Sequence, residues 1–516
     1  MAIMIGDKDL AMKISNIKAG LVLSYVALIV NVLINIAYTP IMLRLLGTSE
    51  YGLYNLSVSI VEYLNILSFG FVNAYLRFYY IYKVENDEEK IADLNGMYLM
   101  VFFIIGVISF IAGLVIVLNV GNIFQGSLTA EEIATARVLV LILIINVSCA
   151  FPLSIFGFYL TANEKFIFLR LLSLAQAVLL PIFRVIALLL GYKSIGLAIV
   201  ALVLTTALNI PQIYYCYARC GYKLSFKAAN LSMFKEIFIF SSYVFLNVIT
   251  EQVNGNANKF LLGKFRGTTD VAVYGIAAQI HSIYLSISSN ITAVVKPRVN
   301  NLVLSNNKKG MDSLFIQIGR LQFIILFLIM SGFVFLGKPF IYFWAGRDFE
   351  NSFIIALILI VAWTLVQIQN LSTEIQRAKD LHKFRSMTLF LISIYSVIIN
   401  VFLCQRYGGI GCAAGTAITV LIGNVIIMGI YNQTKVGLNI IGLYKSIAPL
   451  IPAMIPAIIA GIIINRFVDL ESIQNFLLSG IVYTCLYLRF MWSLGFNEYE
   501  KNLLMRPMRM LFKRRV

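Results

Sequence analysis

The sequence is poor in what a soluble enzyme of its size would display. Only 13% of its 516 residues are charged and only two are histidine. It has no P-loop, no GxSxG and no acidic cluster of metal-site spacing, so ATP hydrolysis, serine hydrolase chemistry and metal hydrolysis have no visible machinery. The six cysteines (149, 216, 220, 404, 412 and 485) form no CxxC or CxxH pattern and mostly sit inside apolar runs. They read as small buried hydrophobes, not as disulfides or metal ligands. No loop exceeds roughly twenty residues, which leaves no room for a soluble domain and disfavours glycosyltransferases and polymerases that need a catalytic lobe outside the membrane. The chain is therefore expected to be no enzyme and to need no cofactor.

What fills the sequence is apolar: 60% of residues are hydrophobic. A folded soluble surface must be about half polar, so a chain of this composition cannot hide its apolar side chains in water. Many of the runs reach the roughly 20 residues needed to cross a bilayer. Fourteen such stretches can be read, the first near 20–43 and the last near 472–494. An even number puts both termini on one side. The loops on that side hold 28 lysines and arginines against 8 on the other, which makes both termini cytoplasmic. The formal charge of +17 then records loop orientation and gives no reason to expect nucleic acid. No cleavable signal stands out in Met1–Asn16, and the first span is expected to direct insertion.

One stretch occurs twice. Gly47-Thr48-Ser49-Glu50-Tyr51-Gly52-Leu53-Tyr54 returns 220 positions later as Gly267-Thr268-Thr269-Asp270-Val271-Ala272-Val273-Tyr274. Glycine, threonine, the acid and the tyrosine keep register, and each copy joins two apolar runs. A weaker echo pairs Ser194-Ile195-Gly196-Leu197-Ala198 with Gly409-Ile410-Gly411-Cys412-Ala413. The chain thus divides into a first lobe of six spans (1–218), a basic cytoplasmic linker (219–235), a second lobe of six spans (236–431) and two added spans with a basic tail (432–516). Six is even, so the two copies run parallel, and a two-lobed membrane protein of this kind carries its site between the lobes. That is the pattern of a transporter.

The hairpin Leu43-Arg44-Leu45-Leu46-Gly47-Thr48-Ser49-Glu50-Tyr51-Gly52-Leu53-Tyr54, its second copy and the two appended spans resemble the polysaccharide-transporter branch, the Wzx-type flippases, of the multidrug/oligosaccharidyl-lipid/polysaccharide exporter superfamily. The resemblance covers nearly the whole chain. It implies an all-α, V-shaped alternating-access transporter that turns an undecaprenyl-diphosphate-linked oligosaccharide across the bacterial inner membrane. Multidrug exporters and lipid II flippases share that fold, so fold alone does not select a cargo.

Polar side chains inside the spans are the candidates for the site, because a charge at mid-bilayer costs about 2.5–3.5 kcal/mol and must face a cavity or a partner. Asn247, Glu251, Asn254 and Asn258 follow one helical face of the seventh span, ending at Lys259. Ser24, Asn31, Asn35 and Tyr38 form a milder stripe on the first span, and Asn31 is the repeat equivalent of Glu251. Each stripe reads either as cavity lining or as amide glue between helices. Arg77, Arg184, Lys259, Arg298 and Arg320 suit phosphate or acidic sugar, since a guanidinium donates two parallel bonds. Arg77, Arg298 and Arg320 also fit helix ends snorkelling to the interface. Glu62, Glu251 and His281 are candidates for coupling to protons or sodium. The alternatives are a buried ion pair for Glu62 and a helix–helix hydrogen bond for His281. The aromatics Tyr75, Phe78, Tyr79, Tyr80 and Tyr82 suggest an interfacial belt or a sugar-stacking mouth.

The expected partners are lipid-linked oligosaccharide, membrane lipids that the tail Arg506–Arg515 would touch, and polysaccharide polymerase and chain-length machinery. A multidrug/cation antiporter of the same fold is the rival, though the spans carry more bases than aligned acids. A membrane glycan polymerase or ligase is the third reading.

Overall fold

The computed structural model describes residues 30, 33–68, 70–226, 231–503 and 505. Among them every regular element is helical. The helices are α1 (Leu33–Leu46), α2 (Thr48–Glu62), α3 (Phe71–Val84), α4 (Glu88–Ile123), α5 (Ala130–Ala162), α6 (Phe166–Leu189), α7 (Lys193–Arg219), α8 (Leu231–Phe265), α9 (Thr268–Leu304), α10 (Lys308–Trp344), α11 (Ser352–Gln367), α12 (Leu371–Ala378), α13 (His382–Val420), α14 (Met428–Tyr431), α15 (Ile440–Ile447), α16 (Leu450–Phe467) and α17 (Ile473–Phe490). Nine of the described helical segments are long and apolar enough to span a bilayer, ten if the bent pair α11 and α12 is one span. This is a multi-pass membrane protein. The length and apolarity test reaches nine or ten spans, short of the fourteen read from the sequence.

The repeat is written into the turns. Backbone of positive φ recurs in pairs: Gly47 with Gly267, Asn86 with Asn306, Gly126 with Gly346, Glu164 with Asp380, Gly191 with Gly408, and Gly221 with Gly437. The offsets are 220, 220, 220, 216, 217 and 216 positions, matching within two residues the 220 and 215 of the two sequence echoes. Left-handed backbone is the common way to end a helix and reverse the chain, so six helix ends of the first copy have six counterparts in the second. Gly47 and Gly267 have φ of 78° and 92°, and the next residue, Thr48 or Thr268, opens the following helix. At Gly408 (φ 57°, ψ −136°) α13 breaks into the two helices that the sequence reading separates near 404–411.

By contact the chain forms two compact units, Met1–Ala272 and Val273–Val516. In the first unit α4 packs on α5, α5 on α7, and α8 lies against α2 and α3. The aromatic crowd at the end of α3 differs from both expectations. Tyr75 is 0% exposed, Tyr79 3% and Phe78 8%, and they belong to a core with Tyr98, Phe102, Tyr159 and Tyr222. The cause is that their hydroxyls find partners: Tyr75 donates to Asn95 Oδ1 at 2.7 Å, Tyr79 to Asn163 Oδ1 at 2.9 Å and Tyr159 to the Cys220 carbonyl at 2.9 Å. A buried phenol needs such a partner. Asn95 Nδ2 donates to Lys223 O at 3.0 Å and Ser225 N to Ala92 O at 3.1 Å, so this core also holds down the start of the 219–235 linker. Tyr80 alone of the group is strongly exposed.

In the second unit α10 is the central post. Tyr483 and Tyr487 of α17 donate to Ser331 Oγ (2.7 Å) and to the Ile324 carbonyl (2.9 Å) of α10. Leu443, Leu450, Met454 and Met491 complete the apolar contact. The two appended spans are thereby fastened to the unit through one helix.

Candidate functional site

In the first unit the two copies of the repeated motif meet. Thr129 and Glu132 form a capping box at the start of α5, and Glu132 Oε2 accepts from the Thr129 backbone N–H at 2.9 Å. The other carboxylate oxygen, Oε1, accepts from Ser49 Oγ of the first motif (2.7 Å) and Thr268 Oγ1 of the second (2.8 Å). The two hydroxyls are 3.2 Å apart. Backbones approach closely enough that a Cβ on Gly52 would strike the Thr268 carbonyl. Glu50 is bonded by Ser194 Oγ and stands 3.9 Å from Lys193 Nζ, which joins the first motif to the second echo. The loop chemistry that marks the repeat is therefore a knot of charge-assisted hydrogen bonds.

Below that knot, Arg184 of α6 donates to Tyr54 Oη at 2.8 Å, with its guanidinium carbon 5.7 Å from the Tyr54 ring centre. Its Nε is buried and has no hydrogen-bond partner. On α8, Lys259 is half-buried and feels the charge of Glu62 at the end of α2, although no ion pair within 4 Å joins them among the described residues. Of the stripe on α8, Asn258 is buried, Asn247 is half-buried, and Glu251 and Asn254 are exposed. Asn35 of α1 is exposed, and Asn31 lies outside the described residues, as does the tail from Arg506. Arg77 of α3 is exposed.

The second unit is different. Arg320 of α10 is 9% exposed and forms a two-pronged pair with Glu500, Nε to Oε1 at 2.8 Å and Nη2 to Oε2 at 3.1 Å. It also donates to the carbonyls of Gly495 (3.0 Å) and Ser446. Four of its N–H groups are thus committed inside the protein, which makes it a fastener for the segment after α17. Arg298 of α9 is exposed.

His281 opens a polar seam that the sequence reading did not find. His281, Tyr284, Ser288, Thr292 and Lys296 share one face of α9, about 22 Å long at 1.5 Å per residue. Opposite them stand residues of α11, of α12 and of the bend between. The His281 ring lies 5.5 Å from the Trp363 ring, and Tyr284 Oη is 2.5 Å from Thr364 Oγ1. Ser288 Oγ reaches the Gln367 carbonyl at 3.4 Å, Asn370 Nδ2 reaches Thr292 Oγ1 at 3.4 Å, and Lys296 pairs with Glu374 at 2.9 Å. Gln322 of α10 joins at the middle, donating to Ser288 Oγ and Thr292 Oγ1, each at 3.0 Å. His281 Nε2 and Trp363 Nε1 are buried without hydrogen-bond partners. A three-four spacing of hydroxyls on α9 was the available signal; it is weaker than that of the Glu251 stripe because Ser and Thr are common in membrane helices as backbone bonders. Among the described residues no three His, Cys, Asp or Glu side chains gather as a metal site.

Residues 41–354 match the family model described as "Polysaccharide biosynthesis protein", which is more than half of the chain. The chain belongs to that family. That membership, with the relatives that follow, supports the resemblance of the repeated hairpin to the Wzx-type branch of the multidrug/oligosaccharidyl-lipid/polysaccharide exporter superfamily. It is 21% identical over 399 residues to a Shigella flexneri protein described as "Putative O-antigen transporter", covering 76% of this chain and 91% of the relative. Its fold is similar to that of the lipid II flippase MurJ in an inward closed conformation, with 16% identity, a TM-score of 0.73, and coverage of 95% of this chain and 99% of that one. It is also similar to an inward-facing MATE family multidrug resistance transporter, at 12% identity and a TM-score of 0.64 over 80% of this chain and 96% of that one. The family model spans the knot and the α9 and α10 side of the seam, from the end of α1 to the start of α11, and ends before Trp363–Glu374 on the other side.

Proposed function

We propose that this chain is a flippase that carries a polyprenyl-diphosphate-linked oligosaccharide from the inner to the outer leaflet of the bacterial plasma membrane, feeding O-antigen, capsule or exopolysaccharide synthesis. Membership of the polysaccharide biosynthesis family across residues 41–354 carries this reading. The exposed polar face of α8 supports it, since Glu251 and Asn254 require an aqueous cavity in which a glycan can be hydrated. Arg77 and Arg298, both exposed, and the half-buried Lys259 and Arg184 are the bases proposed to meet the diphosphate. The polyprenyl chain stays in lipid while the two halves of the repeat rock. An ion gradient supplies the work, through a proton or sodium acting at Glu251, Glu62 or His281. Both termini face the cytoplasm, and polymerase and chain-length proteins take the product outside.

The test is depletion of the gene in its own cell, with the membrane-bound diphosphate-linked saccharides extracted and assigned to a leaflet. Accumulation on the cytoplasmic face with loss of surface polysaccharide is the expected result. Unchanged surface glycan together with new sensitivity to cationic dyes would replace this reading with a drug/cation antiporter.

A further inference from the structure

Toward the end of α9 and across the α12–α13 turn the second copy gathers charge that the first copy lacks. Lys296 of α9 pairs with Glu374 of α12 at 2.9 Å, and Arg377, one turn on, bonds the same carboxylate at 2.7 Å. Arg385 of α13 lies in the field of both Glu374 and Arg377. It is half-buried and makes no hydrogen bond or ion pair among the described residues. The other acid of the turn, Asp380, is directed to His382 at 3.5 Å. Three bases from three helices thus share one carboxylate, itself only 13% exposed, and positive charge is left over. A guanidinium sheltered from water needs a counter-ion.

The frame of the repeat does not require these charges. At the offsets of the neighbouring paired turns, 220 for α9 and 216 for α12 and α13, the first copy has Leu76, Phe158, Thr161 and Leu169 in the places of Lys296, Glu374, Arg377 and Arg385. Leu76, Phe158 and Leu169 pack on the aromatic core of the first unit, and Thr161 bonds the Gly157 carbonyl of its own helix. The same scaffold accepts an apolar cluster here, so the ionic set of the second copy serves something besides the fold. Its residues lie near helix ends on the side that the loop charges make cytoplasmic, at the level of the inner-leaflet headgroups. The side chains of Lys296 and Arg377 are 52% and 60% exposed, which opens the cluster to that layer. Basic pockets between membrane helices on this side suit anionic headgroups, and a guanidinium meets a phosphate through two parallel bonds. The set lies wholly within one unit. A cargo that crosses the bilayer must leave such a place, whereas a resident lipid need not.

We propose that Lys296, Arg377 and Arg385 hold the phosphate of an anionic phospholipid at the inner-leaflet end of the second unit, with Glu374 as the internal acid that keeps Lys296 and Arg377 in position. Arg377 spends one of its five N–H donors on Glu374 and keeps the others for the headgroup. Binding here is independent of what the protein transports.

The experiment uses the full-length protein, stripped of lipid in a neutral detergent, and counts bound lipid by native mass spectrometry as phosphatidylglycerol or phosphatidylcholine is titrated in. Saturable binding of one phosphatidylglycerol per chain is expected, about tenfold or more tighter than phosphatidylcholine. Arg385→Leu, the residue of the first copy, abolishes that preference, and Arg385→Lys keeps most of it. Lys435→Leu, which removes an exposed base on the same side, leaves it unchanged. Equimolar undecaprenyl diphosphate does not displace the phosphatidylglycerol. A purely structural role would lower the thermal midpoint of Arg385→Leu in lipid-free detergent and leave the lipid preference intact; that result overturns the proposal, as does a wild-type protein without preference. Displacement by undecaprenyl diphosphate also overturns it and gives the bases to the cargo. None of these outcomes removes the flippase reading, which stands or falls on the saccharide extract.

Discussion

The two copies of the repeat share their turns and differ in where they break a helix. In the first copy the second helix gives way: α2 ends at Glu62, Tyr63–Ser68 winds as a 3-10 turn, and α3 resumes at Phe71 after left-handed Gly70. Its counterpart α9 runs unbroken from Thr268 to Leu304, and the residue equivalent to Gly70 is Asn290, which stays helical by bonding the Ser286 carbonyl at 2.7 Å. In fourth position the pattern reverses. α5 is continuous over 33 residues despite Pro152, whereas α11 and α12 part without any proline. The chain crosses this break in tight i to i+3 turns, Asn370 N–H bonding the Gln367 carbonyl at 3.0 Å, and Ser288 Oγ reaches the same carbonyl at 3.4 Å. A duplicated frame has thus placed its polar weak point at Glu62 in one copy and at Gln367–Asn370 in the other. Symmetry governs the scaffold, and the breaks are where the copies differ.

Substitutions that break this comparison can be ranked. The largest effect belongs to the second unit: Arg320→Met leaves Glu500 buried without its cation, and about 3–5 kcal/mol of stability should go, read as a lowered thermal midpoint in detergent. Arg184→Met in the first unit loses one hydrogen bond to Tyr54 and should cost only about 1 kcal/mol. Equal losses would show that Arg184 is held as firmly as Arg320. The motif itself gives the next test. Gly52 corresponds to Ala272, and only the glycine faces a backbone carbonyl too close for a Cβ. Gly52→Ala is expected to destabilise by about 1–3 kcal/mol through overpacking, and Ala272→Gly by about 1 kcal/mol or less.

Glu132→Ala removes the carboxylate half of the α5 capping box and both hydroxyl contacts, an effect of about 1–2 kcal/mol. It should be matched by only a fraction in Ser49→Ala, since Thr268 still reaches the carboxylate. The smallest effect concerns the first copy's break. A double-mutant cycle on Glu62→Gln and Lys259→Met should return a coupling of about 0.5–1 kcal/mol. Zero coupling would mean that the two charges do not sense one another and that Glu62 is free for another role.

Composition and periodicity were enough for the solvent, the all-helical class and the repeat, because hydrophobic length and left-handed turn residues are local properties. The motif Gly47–Tyr54 was legible for the same reason, and so was the family. The roles of single polar residues were not. Arg320 and Arg184 look alike as arginines in apolar runs, yet one is closed off by Glu500 from 180 positions away and the other keeps a free nitrogen. Tyr75 and Tyr79 have the spacing of an interfacial belt and became core because Asn95 and Asn163 supply acceptors. Ser288, Thr292, Gln322 and Gln367 draw no attention singly. Only tertiary packing brings them together along one seam, because hydrogen-bond satisfaction is settled between helices and cannot be read along one.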